Sequence, residues 1–343
     1  MKLFKLRKQA NSARKIKIVA IAKDEAPYFS HWVYHHLHFG FDAISIYINR
    51  TTDNSTDVLD AIVQADERVQ WHSADWVDYL GDHVRTHLQS IVYSAAYQQA
   101  MDEGFSHVLF IDIDEYWIPK DFTTSIHHFL DDFHPESSVS FQWLCENGGM
   151  SQPFDVFPAT LTGVNTVQVK TLVNKCSGIR RMGIHIPIFV DGSKHFFADG
   201  TRFVRAKQEN EQSDIAHVGM KNAFILHRLY RSEMEYVVSL TRGIPNEVNK
   251  WKSNRAGFVT SHPNQETVSL PSGAYERYCN QYTVWRDSLG IEQQENMAKN
   301  FIVNKYKDAL NTLASPDGQA LKQAPMLRGV NLENTVCLAE KSK

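Results

Sequence analysis

Three features of the sequence predict an α/β fold, a mostly parallel sheet flanked by helices with a helical extension at the C-terminal end. Between residues 15 and 110, short runs rich in Ile, Val and Phe alternate with longer segments whose apolar residues recur at helical spacing. Each short run stops at a polar or charged cluster, as strands do on leaving a buried sheet. From about residue 275 onward helical periodicity dominates. Strands joined in sequence by helices imply parallel pairing with right-handed crossovers.

The first strand is predicted at 15–22, ending on Lys23-Asp24-Glu25. A helix over about 27–39 follows, with Phe29, Trp32, Val33, His36 and Leu37 at helical spacing and Gly40 as its stop. A second strand at 43–49 runs into the polar turn Arg50-Thr51-Thr52-Asp53-Asn54-Ser55, then come a short helix over about 56–64 and a third strand at 68–72. A longer helix over about 83–103 carries Leu88, Ile91, Val92, Ala96 and Ala100 on one face and stops at Gly104. The fourth strand begins at His107. In a doubly wound sheet it lies beside the first strand, away from the second, and a crevice opens above the two. Further strands are predicted at 138–143, 166–173 and 184–190, with shorter candidates at 203–206 and 223–227. Ser232-Glu233-Met234-Glu235 is a capping-box pattern opening a helix, and two helices over about 275–313 finish the fold.

The fourth run, His107-Val108-Leu109-Phe110-Ile111-Asp112-Ile113-Asp114-Glu115, passes from buried strand to three carboxylates. If the strand continues through it, alternation puts Asp112 and Asp114 on one face. At roughly 6–7 Å apart and an effective dielectric near 20, two such charges repel by about 2–3 kcal/mol before any desolvation cost. A counter-charge is therefore expected. Mg²⁺ or Mn²⁺ meets the need and leaves coordination positions for a phosphorylated ligand. A strand end that is solvated or paired with Lys or Arg is the other solution.

The chain has 343 residues, 22% of them charged and 43% hydrophobic, enough for one large α/β domain with an extension. A net charge of −3 gives no basic surplus of the kind nucleic-acid binding requires. Four cysteines, Cys145, Cys176, Cys279 and Cys337, are widely spaced with no Cys-x-x-Cys pair, which argues against a zinc site and for a reducing compartment. No apolar run nears the ~18 residues of a membrane span and no signal peptide is visible, so a cytoplasmic protein is expected. Residues 1–14 form a basic arm with Leu3, Phe4 and Leu6 among its cations, suited either to the inner membrane leaflet or to a solvated tail.

Four stretches taken in order carry a resemblance: Ala22-Lys23-Asp24-Glu25 with Trp32; Asp53-Asn54-Ser55-Thr56-Asp57; Phe110 to Tyr116; and His227 through Ser232 to Arg242-Gly243. Over about residues 16–245 the chain resembles nucleotide-sugar-dependent glycosyltransferases of the GT-A fold, most of all the family 2 and family 92 group. The resemblance implies a GT-A domain over 15–245, with a nucleotide-binding half over about 15–120 and an acceptor half over about 121–245, followed by a C-terminal loop and helices over 246–343. It implies Mn²⁺- or Mg²⁺-dependent transfer of a sugar from a UDP-sugar to a glycan or glycolipid acceptor, with inversion, in a bacterial-type surface polysaccharide pathway. Asp53 would accept a hydrogen bond from the uracil imide, and Lys23, Glu25 and Arg85 would lie against the nucleotide. Asp112 would hold the ribose or a metal-bound water and Asp114 would chelate the cation. His185 is the first choice to complete the metal shell and His227 the second. Two departures stand out: Arg50-Thr51-Thr52 replaces the second Asp often found before the uracil-binding one, and the family 2 Glu-Asp base pair is absent. Glu146, in a Gly-bordered stretch after Trp143, is nominated as the acceptor-activating base.

Other constellations compete. Trp143 suits a sugar face or a core position. His31 with His35, and His83 with His87, have i, i+4 spacing without the Glu of His-Glu-x-x-His, and read as solvated or locally bonded imidazoles. Lys252 and Arg255 suit a loop closing over a diphosphate or a plain surface loop. Lys170 suits donor phosphate or the covering of apolar surface by its stem. Two other functional classes are a non-catalytic sugar-binding relative and an Asp-x-Asp phosphohydrolase. The latter needs Thr or Val after the second Asp and a first-strand position, where this chain has Glu115 on the fourth.

Overall fold

The computed structural model describes residues 14–207, 211–243 and 251–331. Of the predicted basic arm only Arg14 falls within them; it donates to the His127 carbonyl at 2.9 Å and pairs with Asp131.

The N-terminal half runs β1 (Ile16–Ala22), α1 (Phe29–His38), β2 (Ala43–Ile48), α2 (Ser55–Ala65), β3 (Val69–Ser73), α3 (Asp82–Arg85), α4 (Leu88–Asp102) and β4 (His107–Phe110). β1 is central, with β2 parallel on one side and β4 parallel on the other, Ile18 standing opposite both Ile44 and Leu109. Its continuous apolar run is explained by burial on both faces. Ile18 and Ala20 pack into a core with Phe29, Trp32 and Val33, whereas Val19 faces Val92, Tyr93 and Ala96. The chain thus reverses its lateral direction between β1 and β4, the point at which open α/β sheets place a ligand.

The second half departs from parallel order. It runs β5 (Glu115–Pro119), α5 (Ile126–Phe129), β6 (Ser138–Glu146), β7 (Thr160–Asn174), β8 (Ile179–Arg181), β9 (Ile188–Phe189), β10 (His195–Phe197) and β11 (Ala223–His227). The sheet order is β3-β2-β1-β4-β7-β6-β11-β5; β7 is antiparallel to β4 and β6, and β5 is antiparallel to β11. The sheet is therefore mixed and not purely parallel, although β10 and β11 again run parallel to β6. α6 (Glu233–Leu240), β12 (Glu266–Ser269), α7 (Ser272–Ser288), α8 (Glu292–Ala314) and α9 (Gln319–Lys322) complete it, with β12 antiparallel to β7.

Several local expectations are corrected. The helix predicted over 83–103 breaks at Thr86 and His87, where the His87 backbone (φ −103°, ψ 24°) leaves helical geometry. β4 stops at Phe110, so Asp112 and Asp114 sit in a turn before β5 opens at Glu115, and strand alternation is not what brings them together. Of the strand predicted over 184–190 only Ile188–Phe189 forms, and 203–206 forms none. His31 and His35 of α1 are bonded but not solvated. The Tyr278 hydroxyl of α7 lies 2.7 Å from His31 Nε2 and 3.0 Å from His35 Nδ1, while His35 Nε2 is 2.8 Å from the Trp117 carbonyl. His83 and His87 are exposed and do not share a helix.

Candidate active site

The acidic turn is built from the chain upward. The Glu115 amide donates to the Asp112 carbonyl at 3.1 Å, and the Asp112 amide donates to Glu115 Oε2 at 2.9 Å. From α1, the Trp32 indole N–H lies 3.1 Å from the Asp112 carbonyl and 2.9 Å from that of Glu115, fastening both ends of the turn. From β7, the fully buried Lys170 places Nζ 3.1 Å from Asp112 Oδ2 and 3.3 Å from Glu115 Oε2. Burial pushes the Glu115 carboxyl up to about 8, with Lys170 pulling the other way.

Asp114 faces differently. β11 lies between β5 and β6 and delivers His227 at its end, with Nε2 3.5 Å from Asp114 Oδ2 and Nδ1 3.9 Å from the Cys145 thiol. Burial opposes the charged form of Asp114, yet His227, Arg231 and Arg255 outweigh it and hold the carboxyl well below its usual range. Against the same burial, Asp114 raises the His227 imidazole to about 10. His185 stands with its ring 5.1 Å from Trp143, and Trp143 lies 4.2 Å from the His227 ring. Burial first, then Lys170 and His227, lower His185 to about 3, and its buried Nδ1 has no hydrogen-bond partner among the described residues.

Asp112, Asp114, His185 and His227 line a cleft of about 810 Å³ at the crossover between β1 and β4. Lys23, Glu25, Arg85, Trp143, Lys252 and Arg255 also line it, as do Asn49 and Asp78. Much of its wall is cationic. Arg231, at φ 51°, donates to Glu25 Oε2 at 3.0 Å and to the Ile113 carbonyl at 3.2 Å, with its guanidinium 3.4 Å from the Tyr28 ring centre. Arg242 pairs with the other Glu25 oxygen and reaches the Asp24 carbonyl at 2.9 Å. Burial, with Arg242 and Arg255 nearby, lowers the Lys252 ammonium to about 8.

The structure does not bring Asp53 or Glu146 to the cleft. Asp53 Oδ2 accepts from the Ala26 amide at 2.9 Å and Oδ1 from the Ser55 amide at 3.0 Å, while Asp24 Oδ1 accepts from the Thr52 amide at 2.6 Å. The two aspartates thereby tie the turns after β1 and β2 to each other. Glu146 is buried against Arg228, whose Nε lies 3.0 Å from Oε2. Sequence reasoning assigned no place in the cleft to Arg228, Arg231 or Arg242, and to Glu235 only a helix cap, although the run His227-Arg228-Leu229-Tyr230-Arg231 at a strand end was a readable cationic signal.

Metal ligation has a partial framework. Among the described residues no group of three or more His, Cys, Asp or Glu side chains stands ready to hold an ion alone. Asp114 and His227, 3.5 Å apart, are nevertheless a carboxylate and an imidazole of the types that would ligate such an ion.

A mixed α/β sheet with an acidic turn facing a cationic cleft at its crossover defines a site suited to an anionic ligand. The model of glycosyltransferase family 92 matches residues 18–193, and the chain belongs to that family. A solved glycosyltransferase involved in the glycosylation of the major capsid of PBCV-1 is similar at 13% identity and a TM-score of 0.22, over 47% of this chain and 60% of that one. No curated protein matches. Among the described residues no helix is long and apolar enough to cross a membrane.

Proposed function

We propose that the protein is a GT-A-type, Mn²⁺- or Mg²⁺-dependent enzyme that transfers a sugar from a UDP-sugar to a glycan or glycolipid acceptor with inversion. The observation that carries this reading is the Asp114–His227 pair in a cleft with cations on its other wall. Asp114 and His227 would hold the cation, with His185 beside them. When bound, the ion offsets charge building on the leaving diphosphate. Lys252, Arg255 and Arg231 bind and orient that diphosphate, and Lys23, Asn49 and Asp78 edge the space for the nucleoside. Lys170 neutralises Asp112, whose partly exposed carboxylate then meets the ribose rather than the metal.

Inversion needs a carboxylate within reach of the acceptor hydroxyl. In the cleft, Glu25 is held by two guanidiniums, Asp78 by Arg50 and Asp112 by Lys170. Glu235, also in the cleft, has no ion pair among the described residues and takes the place of Glu146 as the proposed base. A cytoplasmic location, with the basic arm touching the inner leaflet, completes the proposal.

A thermal-shift panel of UDP, UDP-sugars and GDP with and without Mn²⁺ tests it. UDP forms should stabilise the protein more in Mn²⁺, and Asp114→Asn should abolish that increment and turnover. An unchanged increment and turnover in Asp114→Asn would remove the metal role.

A further inference from the structure

A second cavity, of about 140 Å³, lies behind the cleft between the start of α1, β5, residues 154–156 and helices α7 and α8. Arg228 lines both spaces. The rings of Tyr28, Tyr116, Phe154 and Tyr282 form much of its wall, and Asp155, Arg286, Glu295 and Lys299 supply its charge. Glu295 is buried and fixed by Ser30 Oγ at 2.6 Å and Arg286 Nε at 2.6 Å. Phe154 is held at φ 66°, a conformation costly for a bulky side chain, by its amide hydrogen bond to Glu235 Oε1 at 3.3 Å. Its ring lies 6.5 Å from that of Tyr28 and 6.0 Å from Lys299 Nζ.

We propose that this cavity is an acceptor subsite that holds one pyranose ring of a glycan, a proposal that rests on the glycosyltransferase reading above. Aromatic faces meet the C–H face of a sugar, and fixed carboxylate and guanidinium groups bond its hydroxyls. Other ligands fit poorly. An acyl chain would strand five charged groups against hydrocarbon. A phosphate would meet Arg228, Arg286 and Lys299 but be repelled by Glu295 and Asp155, with no use for the rings. The volume is too small for a nucleotide, for which the adjoining cleft is sized. Glu235 lies between the two spaces, lining the cleft while holding Phe154. A sugar ring seated here would direct the neighbouring unit of its chain toward the proposed base.

Saturation-transfer NMR on the full chain, with UDP and Mg²⁺ saturating the cleft, tests the subsite against methyl β-galactopyranoside, methyl β-glucopyranoside and methyl α-mannopyranoside. Ring C–H signals from at least one glycoside should persist under UDP and fall at least threefold in both Phe154→Ala and Lys299→Ala. Absence of transfer from all three, signals competed away by UDP, or signals unaffected in the two variants would overturn the subsite. Loss of the signals to inorganic phosphate would do so as well and assign the cavity to an anion. UDP stabilisation of the same variants is read in parallel: its absence in wild type sinks the donor reading, while its survival beside a failed glycoside experiment sinks the subsite alone.

Discussion

Lys170 has no exposed surface and faces two carboxylates, one of them, Glu115, equally buried. Removing one member of such a group strands the others in a poorly solvating interior, a loss of about 3–5 kcal/mol. Lys170→Met should therefore lower stability by that order in urea unfolding, and adding Glu115→Gln should restore part of it. Glu235 joins chemistry to folding: Oε2 accepts from the Ser232 amide and hydroxyl, and Oε1 from the Phe154 amide. Glu235→Gln keeps only one of the two acceptor oxygens, so it should lower stability in urea unfolding by about 1 kcal/mol, the worth of one hydrogen bond. In the same variant kcat should fall by about 10²- to 10⁴-fold, the usual worth of a general base. Residue placement in the cleft was legible where a motif followed a strand end, as with Asp112, Asp114 and Lys23. It was not legible where a partner distant in sequence decided it: Arg228 lies 82 residues from Glu146, and Ala26 lies 27 from Asp53.

At the scale of elements, α1 carries three buried imidazoles, which burial holds neutral: His36 is lowered to about 3, and His31 and His35 fall well below 6.5. Burial likewise lowers His107 to about 4 and His195 to about 3. The unfolded chain takes up these protons below about pH 6.5 while the folded chain does not, so their stabilising contribution is complete above that pH and is lost as pH falls toward 4. Each contributes a slope of up to about 1.4 kcal/mol per pH unit. Glu115, raised to about 8, acts in the opposite sense between its unfolded value and 8 and cancels roughly one of them. Urea midpoints should drop steeply from pH 6.5 to 4.5, and His36→Gln should flatten the slope by about one proton; a level profile would contradict the neutral assignment. The strands missed in the sequence, β5, β8, β10 and β12, are short. Glu-Tyr-Trp-Ile-Pro and Glu-Thr-Val-Ser become strands only through β11 and β7, which lie far away in the chain.

Over the whole molecule, the β-α-β half follows the order its sequence announces, because each crossover helix forces a parallel return. The second half lacks that constraint. Between β6 and β7 no helix intervenes among the described residues, and the strands pair antiparallel, which alternation alone does not encode. α7 is bound to the same core through Tyr278, so a chain ending at residue 271 should lose near-ultraviolet circular dichroism and bind a hydrophobic dye, whereas an independently folding N-terminal part would retain its signal. Trp32 joins these layers, its indole reaching from the helix face of β1 to both carbonyls that bracket the acidic turn. Any charged guest that displaces the turn beside Asp114 must in consequence also loosen the Trp32 indole, and with it the seat of α1 against β1.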